Sequence, residues 1–135
     1  MTPPPLHPPP GVPVNLTCRH LPGATLIAVA GQVDTTTSAQ LEEYIDQHRV
    51  RLDEHLIIDM SELSFLDSSG LAVLLAAAML ARAHGVGVHV TGLQSMPARL
   101  LEITGAERAV TIYDHVEQAI AAVADLDLVN PSEHA

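Results

Sequence analysis

The sequence of 135 residues contains no lysine, and its six basic side chains, all arginine, face 16 acidic ones. Proteins that hold nucleic acid or an anionic membrane surface contact phosphate groups mainly through lysine and arginine. A formal net charge of -10 therefore argues against nucleic acid and against a membrane as partners. An acidic surface suits a basic protein partner, although many acidic proteins are simply solvated in this way.

Cysteine and aromatic residues are also scarce. Cys18 is the single cysteine, so the chain can form neither an internal disulfide nor a cysteine-based metal site, which fits a reducing compartment. Aromatic residues make up 2%, so the core must be aliphatic.

The longest apolar run, residues 71–81, is shorter than the ~20 residues that span a bilayer, and no signal-peptide pattern is present. We expect a cytoplasmic protein.

Proline is concentrated at one end, where seven of the ten prolines precede residue 14. Because proline lacks an N–H group and fixes φ, residues 1–13 are predicted to form a disordered, proline-rich arm. The acidic residues 125–135 are predicted to form a flexible tail. Residues 14–124 then make one domain of ordinary size.

Strand and helix patterns alternate within this domain. Two strands, residues 14–20 and 26–30, flank the turn at Pro22 and are predicted to form a hairpin. Later strands are expected over three apolar runs, residues 56–60, 86–91 and 110–113.

Four helices are predicted between and after these strands. The expected N-terminal signals are a capping box of Thr37 with Gln40, the DSSG segment before residue 71, Ser95 as N-cap, and a capping box of Asp114 with Glu117. The order ββαβαβαβα predicts an α/β fold, a mixed β-sheet of about five strands with about four helices, parallel apart from the hairpin.

Residues 56–75, LIIDMSELSFLDSSGLAVLL, hold the candidate functional residues. Asp67, Ser68 and Ser69 are all suitable N-caps, and their side chains lie at the positive end of a helix. A phosphate on Ser69 would add roughly -1.5 to -2 charges at pH 7, which a helix N-terminus tolerates. Gly70 could let another surface approach the backbone. Ordinary helix capping, without phosphorylation, would also account for these residues.

The helix that follows carries apolar residues on two sides. Leu71, Leu74, Leu75 and Ala78 form one inward stripe, whereas Val73, Ala77 and Leu80 fall on another side. This second side predicts either a partner-binding surface or a closely packed neighbouring helix.

The segment resembles the central signature of STAS domains, a family named for sulfate transporters and anti-sigma factor antagonists. In that family the second serine of DSSG is the phosphoacceptor, which corresponds to Ser69, with Ser68 the less favoured candidate. Two further motifs agree: VAGQVD at 29–34 is similar to the segment before the first family helix, and LLEITG at 100–105 is similar to its short third helix.

This resemblance implies a bacterial anti-sigma factor antagonist, an anti-anti-sigma factor that regulates transcription. Its unphosphorylated form would sequester an anti-sigma factor that is itself a serine kinase, and a phosphatase would reset the cycle. ATP and magnesium would belong to the kinase, so no cofactor is expected here. The implied partner-binding residues are Asp67, Ser68, Ser69, Gly70, Val73, Gly31 and Asp34.

Asp34 has two interpretations: it orders the loop that faces the DSSG turn, or it caps the first helix beside Thr37. The oligomeric state stays open between a monomer and a weak dimer. The main alternative function is a non-phosphorylated STAS adaptor that braces an ABC-type lipid-transport ATPase.

An enzyme is not expected, because Ser69 lies in no GxSxG elbow and the histidines are scattered along the chain. A metal site is not expected either, because His84 and His89 cannot share one helix face.

Overall fold

A computed structural model describes residues 14–129. The predicted arm, residues 1–13, and the last part of the predicted tail, residues 130–135, lie outside the described residues. The elements in chain order are β1 (Asn15–Leu21), β2 (Ala24–Val33), α1 (Ser38–His48), β3 (His55–Asp59), β4 (Leu63–Leu66), α2 (Ser68–Ala83), β5 (Val88–Thr91), α3 (Ser95–Thr104), a short 3-10 helix (Ala106–Ala109), β6 (Thr111–Tyr113) and α4 (Val116–Val129).

The strands form one mixed sheet in the order β1-β2-β3-β5-β6, with β4 beside the end of β2. β1 and β2 form the antiparallel hairpin, and the other pairs are parallel. The predicted mixed sheet, hairpin and four helices are confirmed. β4 is new: it lies in a segment predicted as a loop and pairs with β2 beyond a bulge at Gly31.

Two apolar clusters cover the two faces of the sheet, because neighbouring residues in a strand point to opposite sides. Ile27 and Ile58 face one cluster, which contains residues of α1, α2 and α3. Leu26 and Ile57 face the other cluster, which contains residues of α4. The core therefore lies in two layers, with three helices on one side and one on the other.

The predicted capping box before α1 does not form. The Thr37 hydroxyl donates to the backbone carbonyl of Gln32 at 2.9 Å and accepts from the N–H of Asp34 at 3.0 Å. Its side chain makes no capping hydrogen bond with α1. Thr37 therefore ties the loop to the end of β2 instead of pairing with Gln40.

The other two predicted caps are also displaced. Ser95 is the first residue of α3 and not its N-cap. α4 begins after His115, whose N–H donates to the Gln118 side chain at 3.0 Å. In a capping box, the side chain at the third helical position accepts from the N–H of the N-cap residue. That contact forms here one residue later than in the predicted pair of Asp114 and Glu117.

α4 extends to Val129, past the predicted domain end at residue 124. Residues 125–129, which were assigned to the flexible tail, are therefore helical. Over residues 14–129, none of the helices combines the length and the apolar character needed to cross a membrane.

Candidate functional site

The candidate site lies where β2 and β4 end side by side. Val33 and Leu66 are partners in the parallel register, and the N–H of Asp67 donates to the carbonyl of Val33 at 3.2 Å. Asp34 and Asp67, the next residues along the two strands, therefore leave the sheet at the same edge. β4, which the sequence analysis missed, creates this neighbourhood.

Of the three candidate N-caps, Asp67, Ser68 and Ser69, it is Asp67 that caps α2. Its Oδ1 accepts from the N–H groups of Ser69 at 2.9 Å and of Gly70 at 3.2 Å. These are two of the N–H groups that a helix start leaves without an intrahelical partner. The structural role of capping thus falls to the aspartate, and both serine hydroxyls are left for other contacts.

The Ser69 side chain is half-buried, and its hydroxyl donates to Asp67 Oδ1 at 2.5 Å. A carboxylate at this distance orients the hydroxyl oxygen and is placed to receive its proton. Ser68 is exposed, and among the described residues no side chain or backbone group bonds its hydroxyl. The site therefore contains one oriented hydroxyl and one unconstrained hydroxyl.

Asp34 orders the loop between β2 and α1. Its Oδ1 accepts from the hydroxyl of Thr36 at 2.6 Å and from the N–H of Thr36 at 2.8 Å. These hydrogen bonds, the hydroxyl first, lower the pKa of the Asp34 carboxyl, so the side chain is ionised at neutral pH. The loop-ordering interpretation fits these contacts, and the edge carries a fixed negative charge.

Gly70 was expected on the docking surface, but the structure shows it buried. A Cβ at this position would lie 2.5 Å from Leu66 Cδ1 and 2.6 Å from Val33 Cγ1, inside any allowed contact. Glycine is needed here because α2 packs against the ends of β2 and β4. The close approach is internal and not made by a partner.

Val73, predicted to bind a partner, is 8% exposed and therefore offers little surface for one. It belongs with Ala77 to the core cluster that contains Leu41 and Ile45 of α1, and α1 packs beside α2. For Val73 and Ala77 a neighbouring helix covers this side, whereas Leu80, on the same side, is 39% exposed.

The outward side of α2 is a different row of residues. Ala72, Ala76 and Met79 are exposed, with Met79 at 74%, and they follow Ser68 at helical spacing. We call these three residues the apolar row. No acidic residue occurs in α2, so an uncharged strip leads away from the serines.

Gly31 lies at the bulge in β2, is exposed and has φ of +104°. Its N–H donates to the carbonyl of Glu62 at 2.9 Å, and its carbonyl accepts from the Ser64 hydroxyl at 3.1 Å. Gly31 thus joins β2 to the start of β4. This links it to the site through the backbone, not through a side chain.

A polar cluster that the sequence did not reveal lies on the face of the sheet that α4 covers. His89, 3% exposed, has Nε2 3.1 Å from His55 Nδ1 and Nδ1 3.0 Å from the Tyr113 hydroxyl. Burial, and then the proximity of His55, lower the pKa of His89 to about 4. The parallel pairing of β3 with β5 brings these distant histidines together.

Comparisons with known proteins agree on one family. Residues 15–119 match the family model described as STAS domain. The chain is 27% identical over 118 residues to an anti-sigma F factor antagonist of Paenibacillus polymyxa, covering 87% of this chain and 98% of that protein. It is 34% identical over 86 residues to an anti-sigma-B factor antagonist of Listeria monocytogenes, covering 64% of this chain and 75% of that protein.

The fold is similar to the crystal structure of an anti-sigma factor antagonist from Mycobacterium paratuberculosis. The TM-score is 0.75 at 26% identity, and the alignment covers 88% of this chain and 99% of that one.

Proposed function

This chain belongs to the STAS domain family, and from that membership we propose that it is an anti-sigma factor antagonist controlled by phosphorylation of Ser69. It works by binding and not by catalysis, and its compartment is the cytoplasm. The relatives named above are antagonists, so the alternative of an adaptor for a lipid-transport ATPase is not favoured.

One observation carries the choice of Ser69. Its hydroxyl is held by Asp67 at the N-terminus of α2 and is still partly accessible, whereas Ser68 lacks such a partner among the described residues. In phosphoryl transfer, the hydroxyl oxygen attacks the γ-phosphorus of ATP, the bond to the leaving ADP breaks, and the hydroxyl proton passes to a base. ATP and magnesium come from the partner kinase.

A phosphate on Ser69 changes the surface more than the fold. The added charge of roughly -1.5 to -2 lies beside Asp67 and near the ionised Asp34, so it turns an acidic edge into a strongly anionic one. The N–H groups at the start of α2 offset part of this repulsion. A partner that covers this edge must then desolvate an unpaired anion, which is costly.

The proposed partner is an anti-sigma factor with serine-kinase activity, and a phosphatase reverses the modification. The surface that it covers comprises the Asp34 loop, Asp67, both serines and the apolar row. The apolar row supplies uncharged contact area beside the charged edge.

Phosphate mapping after incubation with a purified anti-sigma serine kinase and Mg-ATP tests this function. We expect one phosphate, at Ser69, and none in Ser69→Ala. The matched control Ser68→Ala should be modified like the parent, because Asp67 still holds Ser69.

Binding of the same kinase without ATP checks that the variants are competent. Ser69→Ala should bind as well as the parent, because no phosphate charge is added to the edge. Phosphate on Ser68, or modification that persists in Ser69→Ala, would refute the assignment of the site.

A further inference from the structure

Within residues 14–129, β1 forms one edge of the sheet and pairs with a strand on one side only. All seven of its residues pair with β2 in an unbroken antiparallel register. Alternate residues of such a strand direct their N–H and C=O groups to its outer side. Edge strands usually carry charged residues, above all lysine, or proline or a bulge that prevents further pairing; Asn15–Leu21 contains no lysine, proline or bulge, and its one charged residue is Arg19.

We propose that this edge binds the same edge of a second copy of the chain, as an antiparallel pair around a two-fold axis at Cys18. Only this register pairs all seven residues with all seven. It places Cys18 opposite Cys18 and Arg19 opposite Thr17, so the two copies bring no like charges face to face.

Charge complementarity favours a second copy as the occupant. β1 has no acidic residue and carries Arg19. Thr17 lines a shallow groove together with Asp59 and Glu62. Directly opposed residues of two strands point to the same face, so Arg19 of the second copy reaches the groove side of Thr17 and approaches these carboxylates.

The chain's own first residues are a poor alternative occupant. Seven of residues 1–13 are proline, which has no N–H group to donate to a strand. A seven-residue edge buries much less than the roughly 1,600 Å² of a standard stable interface, so the dimer should be weak and reversible. β1 and β4 adjoin β2 separately, and the inference does not depend on the role of Ser69.

Sedimentation equilibrium of the reduced chain over a wide concentration range tests the proposal. We expect a monomer–dimer equilibrium that Arg19→Glu weakens at least about tenfold, because the new carboxylate faces the acidic groove. The matched control Arg108→Glu makes the same charge change at an exposed residue of the 3-10 helix and should leave the equilibrium near that of the parent.

Oxidative cross-linking locates the contact. Opposed residues of antiparallel strands have Cα atoms about 4.5–5.5 Å apart, within disulfide range. Burial raises the pKa of the Cys18 thiol, so oxidation is run at alkaline pH. We expect the parent to form a dimer linked by a Cys18 disulfide. The control variant combines Cys18→Ser with Thr111→Cys on the opposite edge strand, β6, and should form no disulfide dimer. A monomer at every concentration, equal effects of the two arginine variants, or cross-linking through residue 111 would overturn the proposal.

Discussion

Gly70 determines how closely α2 approaches the sheet, since its missing side chain would overlap Val33 and Leu66. We expect Gly70→Ala to lower the free energy of unfolding by about 1–3 kcal/mol, the usual cost of overpacking a core. Urea denaturation measures this. Ser68→Ala, at an exposed position two residues earlier, should stay within about 0.5 kcal/mol of the parent. An unchanged stability of Gly70→Ala would show that α2 can shift without cost.

The DSSG segment also shows what local sequence can and cannot predict about a site. The residue types identified a helix start, because capping preferences depend on nearby residues alone, and the choice of Ser69 as candidate phosphoacceptor came from the family resemblance. They could not show that Asp67 would be the cap or that Gly70 and Val73 would face inward. Those facts depend on the phase of α2 against the sheet, which is a tertiary property.

β4 illustrates the same limit for a whole element. Leu63–Leu66 has only four residues, too few to show the alternation that identifies a strand. It pairs with β2 only beyond the bulge at Gly31, and a bulge cannot be read from local propensity. Yet this short strand brings Asp67 beside Asp34, a proximity that the family resemblance implied and that local sequence patterns alone could not predict.

The packing of β5 against α4 predicts a pH-dependent stability. His89 is buried, and its pKa of about 4 lies below the 6.5 of an exposed histidine. The unfolded chain therefore takes up a proton on His89 as pH falls below about 6.5, whereas the folded chain does not until about pH 4. The free energy of unfolding keeps this contribution in full above about pH 6.5. It decreases by about 3 kcal/mol as the pH falls from about 6.5 to about 4.

The variant His89→Gln isolates this contribution. Glutamine keeps a donor and an acceptor near Tyr113 and His55 but does not titrate between these pH values. In denaturation curves measured from pH 7 to pH 4, its stability should decrease less steeply than that of the parent. Parallel pH profiles would mean that His89 is protonated equally in the folded and unfolded chains.

In the molecule as a whole, fold class followed from the order of patterns along the chain. The hairpin, the parallel strands and the four helices appeared as predicted, since their hydrophobic periodicity reflects burial directly. The chain's end was less predictable: residues 125–129 are acidic in part, yet they continue α4. Composition suggested a tail there, but Asp125 and Leu126 occupy exposed positions of the helix, and such positions tolerate polar residues.

The whole molecule carries a net charge of -10, so one more phosphate changes its total charge little. The proposed control by phosphorylation must therefore act locally, where Asp34, Asp67 and Ser69 meet at one edge. A dispersed electrostatic effect would be screened over about 10 Å at ordinary salt concentration. This argument predicts that the position of the phosphate matters more than its charge.

The most direct measurement compares the chain with phosphoserine fixed at position 69 and the unmodified chain, by calorimetric titration with the anti-sigma factor and by thermal unfolding. We predict that the phosphate weakens binding at least about a hundredfold, equivalent to about 3 kcal/mol, and leaves the unfolding temperature nearly unchanged. Equal affinities of the two forms, or loss of binding that follows unfolding of the modified chain, would contradict the account.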